Sequence, residues 1–391
     1  MKYVRRLLAL LLTVCLWQPL AEARAVSLSK PLEEQPPMTL TSPSAILAEG
    51  STGAIIFEKN ADERRECASI TKLMTALLVM EAIDRGEASL EDQVTVSENA
   101  AAMKGSQALL DANTAYSLRD LLRTTVMASA NDSAVAMAEF LCGTEEAFVR
   151  RMNERAASLG MTNTCYVNAT GYPQSGQYTS ARDVMRVACE VCRHPLYFEY
   201  SSVWIDTLKH PSGRITDLTN TNRLVRFYPG CDGLKTGSTN AAKYCLAATV
   251  EKNGMRLIAV VLGTPVSQTR FNEARAMLDY GFAAYQRMTI ANKGDRLGEQ
   301  LPVRNGSADT VEVELGGGLS MLLRTGQQSQ LKMEVALPEF VEAPVSQGDV
   351  LGTVDVLLGG EIVARLNCVA ATSVPKVGWM EALERILGQW R

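Results

Sequence analysis

CASITKLMTALLVMEAIDR, residues 67–85, decides how the rest of this 391-residue chain is read. From Ile70 to Ile83 almost every position is Ile, Leu, Met, Val or Ala, with Thr71, Lys72, Thr75 and Glu81 the exceptions. No face of such a helix is polar enough for water, so the pattern predicts a helix running through the middle of a core. Ser69 stands at its start and Lys72 follows three residues on. Positions three apart share a helix face, which lets the hydroxyl and the amine meet. Apolar surroundings strip hydration from the charged form of a lysine and make the neutral amine available as a base. A serine hydroxyl is a poor nucleophile until such a base takes its proton. The unpaired N–H groups of a helix start also face any anion that forms there. A Ser-x-x-Lys tetrad alone is a weak signal, because it arises by chance in chains of this length.

The composition, 47% hydrophobic and 21% charged, is that of an ordinary globular protein long enough for two domains. A net charge of −4 gives no general attraction for nucleic acid or anionic lipid. Residues 1–25 differ: Lys2, Arg5 and Arg6 precede the apolar run LLALLLTVCLW, and small residues at Ala21, Ala23 and Ala25 offer a cleavage site. That is a secretory signal peptide, too short in its apolar run to span a bilayer. Cys15 has no small residue just before it, which argues against a lipoprotein signal. The mature chain is therefore expected on the outer face of the cytoplasmic membrane, in the cell-wall space. Eight of the nine cysteines remain after the leader. Their even number permits disulfides without giving a pairing. Cys189 and Cys192 form C-x-x-C with His194 close by. With only two histidines in the chain and no second C-x-x-C, they read as inert or buried thiols, and no metal or other cofactor is expected.

Residues 26–37 are a polar, Pro-rich lead-in. SAILAEGSTGAIIFEKNADERR (44–65) predicts a hairpin around Gly50-Ser51-Thr52-Gly53. SLRDLLRTTVMASA (117–130) predicts a helix with Ser117 as its N-cap, and TEEAFVRRMNERAASLG (144–160) one closed by Gly160. GCDGLKTGST (230–239) and AAKYCLAATVEKNGMRLIAVVLG (241–263) read as two or three strands, with Asn253-Gly254 a hairpin turn. The helix TRFNEARAMLDYGFAAY (269–285) closes a first domain, 38–286. Early strands, a helical middle and a late antiparallel meander predict an α+β fold with helices packed on the sheet. From 287 to 372 short alternating strands with Gly-rich turns predict a small β-sandwich-like domain, without a cluster of catalytic groups. In the tail, 373–391, Trp379, Leu383, Ile386, Leu387 and Trp390 share one helical face, which suits an amphipathic helix lying in a membrane surface.

Three short motifs stand in order: Ser69-Ile70-Thr71-Lys72 at a helix start, Ser129-Ala130-Asn131 at a helix end, and Lys235-Thr236-Gly237 on a strand. Singly, the second is an ordinary helix cap and the third a strand-edge lysine before a turn. Jointly, in an exported chain, they resemble the motif trio of class A β-lactamases and penicillin-binding proteins. The chain is most similar to the low-molecular-mass penicillin-binding proteins that are serine-type D-alanyl-D-alanine carboxypeptidases. VNATGYP (167–173), SARDVM (180–185), the stretch from Gly233 to Thr264, the β domain and the terminal helix all share in the resemblance, which runs from about 38 to the end.

The resemblance implies a penicillin-recognising transpeptidase/β-lactamase-like domain whose substrate is a peptidoglycan stem ending in D-Ala-D-Ala and whose inhibitors are β-lactams. Ser69 would attack the carbonyl of the penultimate D-alanine, with Lys72 as general base and Ser129 relaying a proton to the leaving amine. Asn131 would hold Lys72 and the substrate amide. Lys235 and Thr236, next to Gly237, would receive the terminal carboxylate, and the backbone N–H groups of Ser69 and Ser238 would form the oxyanion hole. Cationic recognition of a free carboxylate favours an exo-acting enzyme. Three departures stand out. Ala130 replaces a common Gly, which requires a negative φ there. Tyr178 and Ser238 stand where some relatives have His, and Cys67 precedes the nucleophile by two residues without an evident reason. One alternative is a β-lactamase, although no Glu between Asn131 and Lys235 has the Asn four residues later that class A enzymes use. The other is a catalytically silent peptidoglycan-binding protein, against which the intact motif residues weigh.

Overall fold

The computed structural model of the chain describes residues 38–380. The leader, the arm 26–37 and the tail positions Leu383, Ile386, Leu387 and Trp390 lie outside the described residues; Trp379, within them, is 76% exposed. Strands β1 (Ser44–Glu49) and β2 (Ile55–Lys59) form the first hairpin. Its turn is closed by the Glu49 carboxylate, which accepts from the N–H and hydroxyl groups of Ser51 and Thr52. Helix α1 (Lys72–Asp84) follows, then α2 (Leu118–Met127), α3 (Asn131–Cys142), α4 (Glu145–Ser158) and α5 (Ala181–Val191). Ser117 caps α2 by accepting from Asp120 N at 3.1 Å. Gly160 closes α4 with φ +70°, and Met161 N reaches back to Ala156 O.

Strands β3 (Cys231–Thr239), β4 (Lys243–Lys252) and β5 (Met255–Thr264) then form an antiparallel meander. Asn253 and Gly254 both adopt positive φ, +52° and +73°, as a two-residue hairpin turn of this hand requires. β1 pairs antiparallel with β5, Ser44 opposite Leu262, which completes one sheet in the order β2-β1-β5-β4-β3. Both faces of this sheet are covered, so β5 reads as an unbroken apolar run, with Leu257 to Leu262 all 0% exposed. On one face Leu47, Ile56 and Ala259 pack with Phe271, Met277 and Leu278 of α6 (Ser267–Ala284). On the other, Ile46, Ala247 and Val260 pack with α1 and α5.

Ten of the 13 residues of α1 are buried, as the apolar run around Lys72 predicts. The helix starts later than expected. Ser69 lies in a 3-10 turn, Ala68–Thr71, and the α-helix begins at Lys72. The reason is contact: the Cys67 carbonyl that opens the turn lies against β3, and Ala68 takes a left-handed φ of +49° to bring it there.

After α6 the described residues are mostly β. Tyr285–Ala291 pairs with Leu319–Arg324, and a six-stranded sheet built on Arg296–Arg304, Thr310–Leu315, Val350–Leu358 and Glu361–Ala370 encloses its own core of Leu301, Val311, Val313, Val354 and Cys368. All eight cysteines among the described residues are free thiols. Burial pushes the Cys189 thiol well up and that of Cys192 to about 12, which keeps both protonated. No helix among the described residues is long and apolar enough to cross a membrane.

Candidate active site

Lys72 is 1% exposed, and Ser69, one turn earlier, is half-buried above it. Lys72 Nζ lies 3.1 Å from Ser69 Oγ, 2.6 Å from Asn131 Oδ1 and 2.6 Å from the Thr170 carbonyl oxygen. The orientation of the Asn131 amide follows from its other end, where Nδ2 donates to Lys104 O at 2.5 Å. Asn131 Oδ1 and Thr170 O only accept. A neutral amine has two N–H bonds and one lone pair, so these two acceptors take both N–H groups and leave the lone pair for the Ser69 hydroxyl. Burial holds the Lys72 ammonium well below the ordinary lysine range; the Lys235 cation pushes the same way, and Asp132 opposes them. The arrangement directs the lone pair of a neutral amine at a serine hydroxyl.

Each part is held by local structure. Asn131 opens α3, and its backbone N–H donates to Ser106 O at 2.7 Å. Asp132, fully buried, accepts from Ala108 N and Leu110 N and pins the 104–110 loop beside it. Thr170 sits in a turn organised by Asn168, whose Oδ1 accepts from Thr170 N and Gly171 N. Thr75 donates to Ala169 O at 2.6 Å and ties that turn to α1. At Gly171, with φ +78°, a Cβ would fall 1.9 Å from the Ala68 carbonyl oxygen, so only glycine lets the turn approach the segment that carries Ser69.

Ala130 has φ −60°, so alanine is tolerated in the middle motif. The left-handed position is Ser129, at φ +64°. With Ala68, that places two non-glycine residues in a costly backbone region beside Lys72, a pattern typical of functional sites. Ser129 is buried, and its hydroxyl has no hydrogen-bond partner among the described residues, neither Ser69 nor Lys72 included.

Strand β3 forms the facing wall. Lys235 is 1% exposed, and among the described residues its Nζ donates only to Thr236 O, at a long 3.4 Å. Burial, and then the nearby Arg270 cation, pull its pKa down to about 7. A buried ammonium with so little satisfaction is a site for an anion. Thr236 Oγ1 donates to Thr221 Oγ1 at 2.7 Å, and Arg270 donates to Gly237 O at 3.0 Å. Ser238 is exposed at the mouth, opposite Tyr244 in the β3–β4 ladder. A Cβ on Gly237 would lie 2.3 Å from Cys67 O, against the turn that carries Ser69. Gly237→Ala is therefore expected to displace that turn and slow acylation of Ser69 by about 100-fold, the cost of an ångström-scale misplacement. Stopped-flow acylation measures this.

Ser69, Lys72 and Asn131 are thus joined by hydrogen bonds, Gly237 packs on their turn, and Lys235 acts on Lys72 through its charge. Sequence reading missed Thr170, Asn168, Gly171, Asp132, Thr221 and Arg270. The available signals were VNATGYP, an Asx turn in form, and Thr75, a hydroxyl inside an apolar helix. Tyr178 pairs with Cys165 in an isolated bridge, and its ring faces the Arg64 guanidinium at 4.7 Å. Cys67 is a small buried side chain at the foot of the Ser69 turn, its thiol pushed up to about 11 by burial.

Comparison with known proteins gives a consistent result. The family profile described as D-alanyl-D-alanine carboxypeptidase matches residues 30–266, and that of the penicillin-binding protein 5 C-terminal domain matches residues 285–376. The chain is 37% identical over 348 residues to D-alanyl-D-alanine carboxypeptidase DacF of Bacillus subtilis, covering 89% of each. It is 33% identical over 344 residues to D-alanyl-D-alanine carboxypeptidase DacC of Escherichia coli, covering 85% of this chain and 84% of the relative. Its fold is similar to the crystal structure of penicillin binding protein 5 from Haemophilus influenzae, with a TM-score of 0.77 and 30% identity over 88% of this chain and 100% of that one.

Proposed function

This chain belongs to the D-alanyl-D-alanine carboxypeptidase family, and from that premise we propose how its own residues perform the reaction. It is a serine peptidase that releases the terminal D-alanine from peptidoglycan stems and binds penicillins. Neutral Lys72 takes the Ser69 proton as Oγ attacks the penultimate D-alanine carbonyl. The oxyanion is held by the backbone N–H groups of Ser69 and Ser238. Ser129, its hydroxyl uncommitted, gives its proton to the leaving amine and takes one back from the Lys72 ammonium, which restores the neutral amine. Asn131 has one amide hydrogen left for the acyl half of the substrate, and Lys235 and Thr236 take the terminal carboxylate. Water activated by Lys72 then hydrolyses the acyl-enzyme and Ser69 regains its proton. The observation that carries this reading is the lysine whose two fixed acceptors, Asn131 Oδ1 and Thr170 O, direct its lone pair to Ser69 Oγ.

The leader exports the chain, residues 38–286 form the catalytic domain, 287–372 a separate β domain, and 373–391 a segment that attaches to the membrane surface. Trp379, exposed, fits that last role. The test is release of D-alanine from Nα,Nε-diacetyl-Lys-D-Ala-D-Ala by the protein without its leader, together with labelling by a fluorescent penicillin. D-alanine release and a long-lived adduct are expected. Rapid turnover of the penicillin makes the chain a β-lactamase instead, and neither product nor adduct overturns the reading. Co-sedimentation of the same preparation with lipid vesicles, lost when the chain stops at 372, tests the membrane attachment.

A further inference from the structure

We propose that Tyr172 sets substrate preference in this same site, its ring forming the wall on which the aliphatic side chain of the residue before D-Ala-D-Ala packs; this rests on the function just assigned. Tyr172 is 41% exposed, yet its backbone is fixed. Its N–H donates to Thr170 Oγ1 at 3.1 Å, and its carbonyl accepts from Asn168 Nδ2 at 3.0 Å. This is the turn whose Thr170 carbonyl holds Lys72. The ring position follows from Gly105. The point where a Cβ on Gly105 would stand is 2.8 Å from Asn131 Nδ2 and 3.8 Å from two ring carbons of Tyr172. Ring, bare glycine backbone and Asn131 amide therefore make one continuous surface, flanked by the Lys104 and Ser106 carbonyls that hold Asn131. The tyrosine hydroxyl has no hydrogen bond among the described residues.

The occupant follows from the direction of the substrate. Its carboxylate end is claimed by Lys235 and Thr236 on β3, so the acyl half leaves Ser69 toward Asn131, whose remaining amide hydrogen suits a peptide carbonyl. A peptide held there brings the preceding side chain to the ring. An aromatic face beside a glycine backbone offers methylenes a surface to cover.

Two substrates that differ only at this side chain test the proposal: Nα,Nε-diacetyl-Lys-D-Ala-D-Ala and Nα-acetyl-Gly-D-Ala-D-Ala. Tyr172→Ala is expected to lower kcat/KM on the lysine peptide by about tenfold, the scale of a lost apolar contact in a pocket, and to leave the glycine peptide unchanged. Tyr172→Phe retains the preference, because the ring and not the hydroxyl makes the contact. Acylation by 6-aminopenicillanic acid, which lacks an acyl arm, stays at the wild-type rate in both variants. Equal losses on the two peptides with slowed acylation overturn the proposal, since the ring would then only prop the 168–172 turn. An unchanged peptide ratio in Tyr172→Ala overturns it as well. Wild-type protein that cleaves neither peptide defeats the assigned function instead, which keeps the two failures apart.

Discussion

Ser69→Ala is expected to remove both D-alanine release and the penicillin adduct, a loss on the order of 10^4-fold or more, as when the nucleophile of an acyl-transfer enzyme is deleted. Nothing nearby substitutes for the lost oxygen. The Lys72 lone pair is aimed at Ser69 Oγ by two acceptors that keep the other N–H groups occupied. Ser129, the other hydroxyl of the motifs, makes no hydrogen bond to Lys72. The Thr71 hydroxyl is buried against the Cys67 thiol, at 3.6 Å. The variant keeps its fold, because the change deletes one half-buried oxygen and leaves Lys72 with both of its 2.6 Å bonds. A thermal melt within a few degrees of wild type separates lost chemistry from lost structure. D-alanine release within tenfold of wild type would end the assignment of Ser69 as nucleophile.

Helix α1 was legible because burial on all sides leaves an unmistakable pattern, whereas the Ser69–Lys72 spacing gained meaning only beside the other two motifs. The strands were legible as strands, but their partners were not. Pairing of β1 with β5 joins residues more than 200 positions apart, and alternation or apolarity names a strand without naming its neighbour. The 3-10 turn at Ser69 was hidden for a similar reason. It is imposed by Gly237, on another strand, against the Cys67 carbonyl. Thr170 was invisible in another way: it acts through its main-chain carbonyl, which every residue type carries, so only the Asn168 and Gly171 that shape its turn leave a mark. Ala130 has the negative φ that its side chain requires, while the left-handed φ at Ser129 left no mark in the sequence, since the motif fixes side chains and the loop sets which residue takes that φ.

Lys72→Met, apolar and of similar length, is expected to cut acylation by at least about 10^3-fold, within the range general-base removal gives. Lys72→Arg fails too, because a guanidinium stays protonated and offers no lone pair. The sharper check is pH. The mechanism needs Lys72 neutral and Lys235 charged. Activity is therefore lost as pH falls through the Lys72 pKa, which burial sets well below the ordinary lysine range, and lost again as pH rises through that of Lys235, about 7. A bell-shaped kcat/KM follows, reporting the free enzyme. A bound carboxylate stabilises the Lys235 cation, so the alkaline limb should lie higher in kcat than in kcat/KM. Lys235→Arg keeps the charge at every pH and should flatten that limb. Lys235→Met removes the cation that helps hold Lys72 neutral, so its acid limb should move to higher pH, beyond any loss in carboxylate binding. An acid limb that stays in place in Lys235→Met, or moves down, would show that the two amines do not sense each other, and the shared cleft would no longer explain the chemistry.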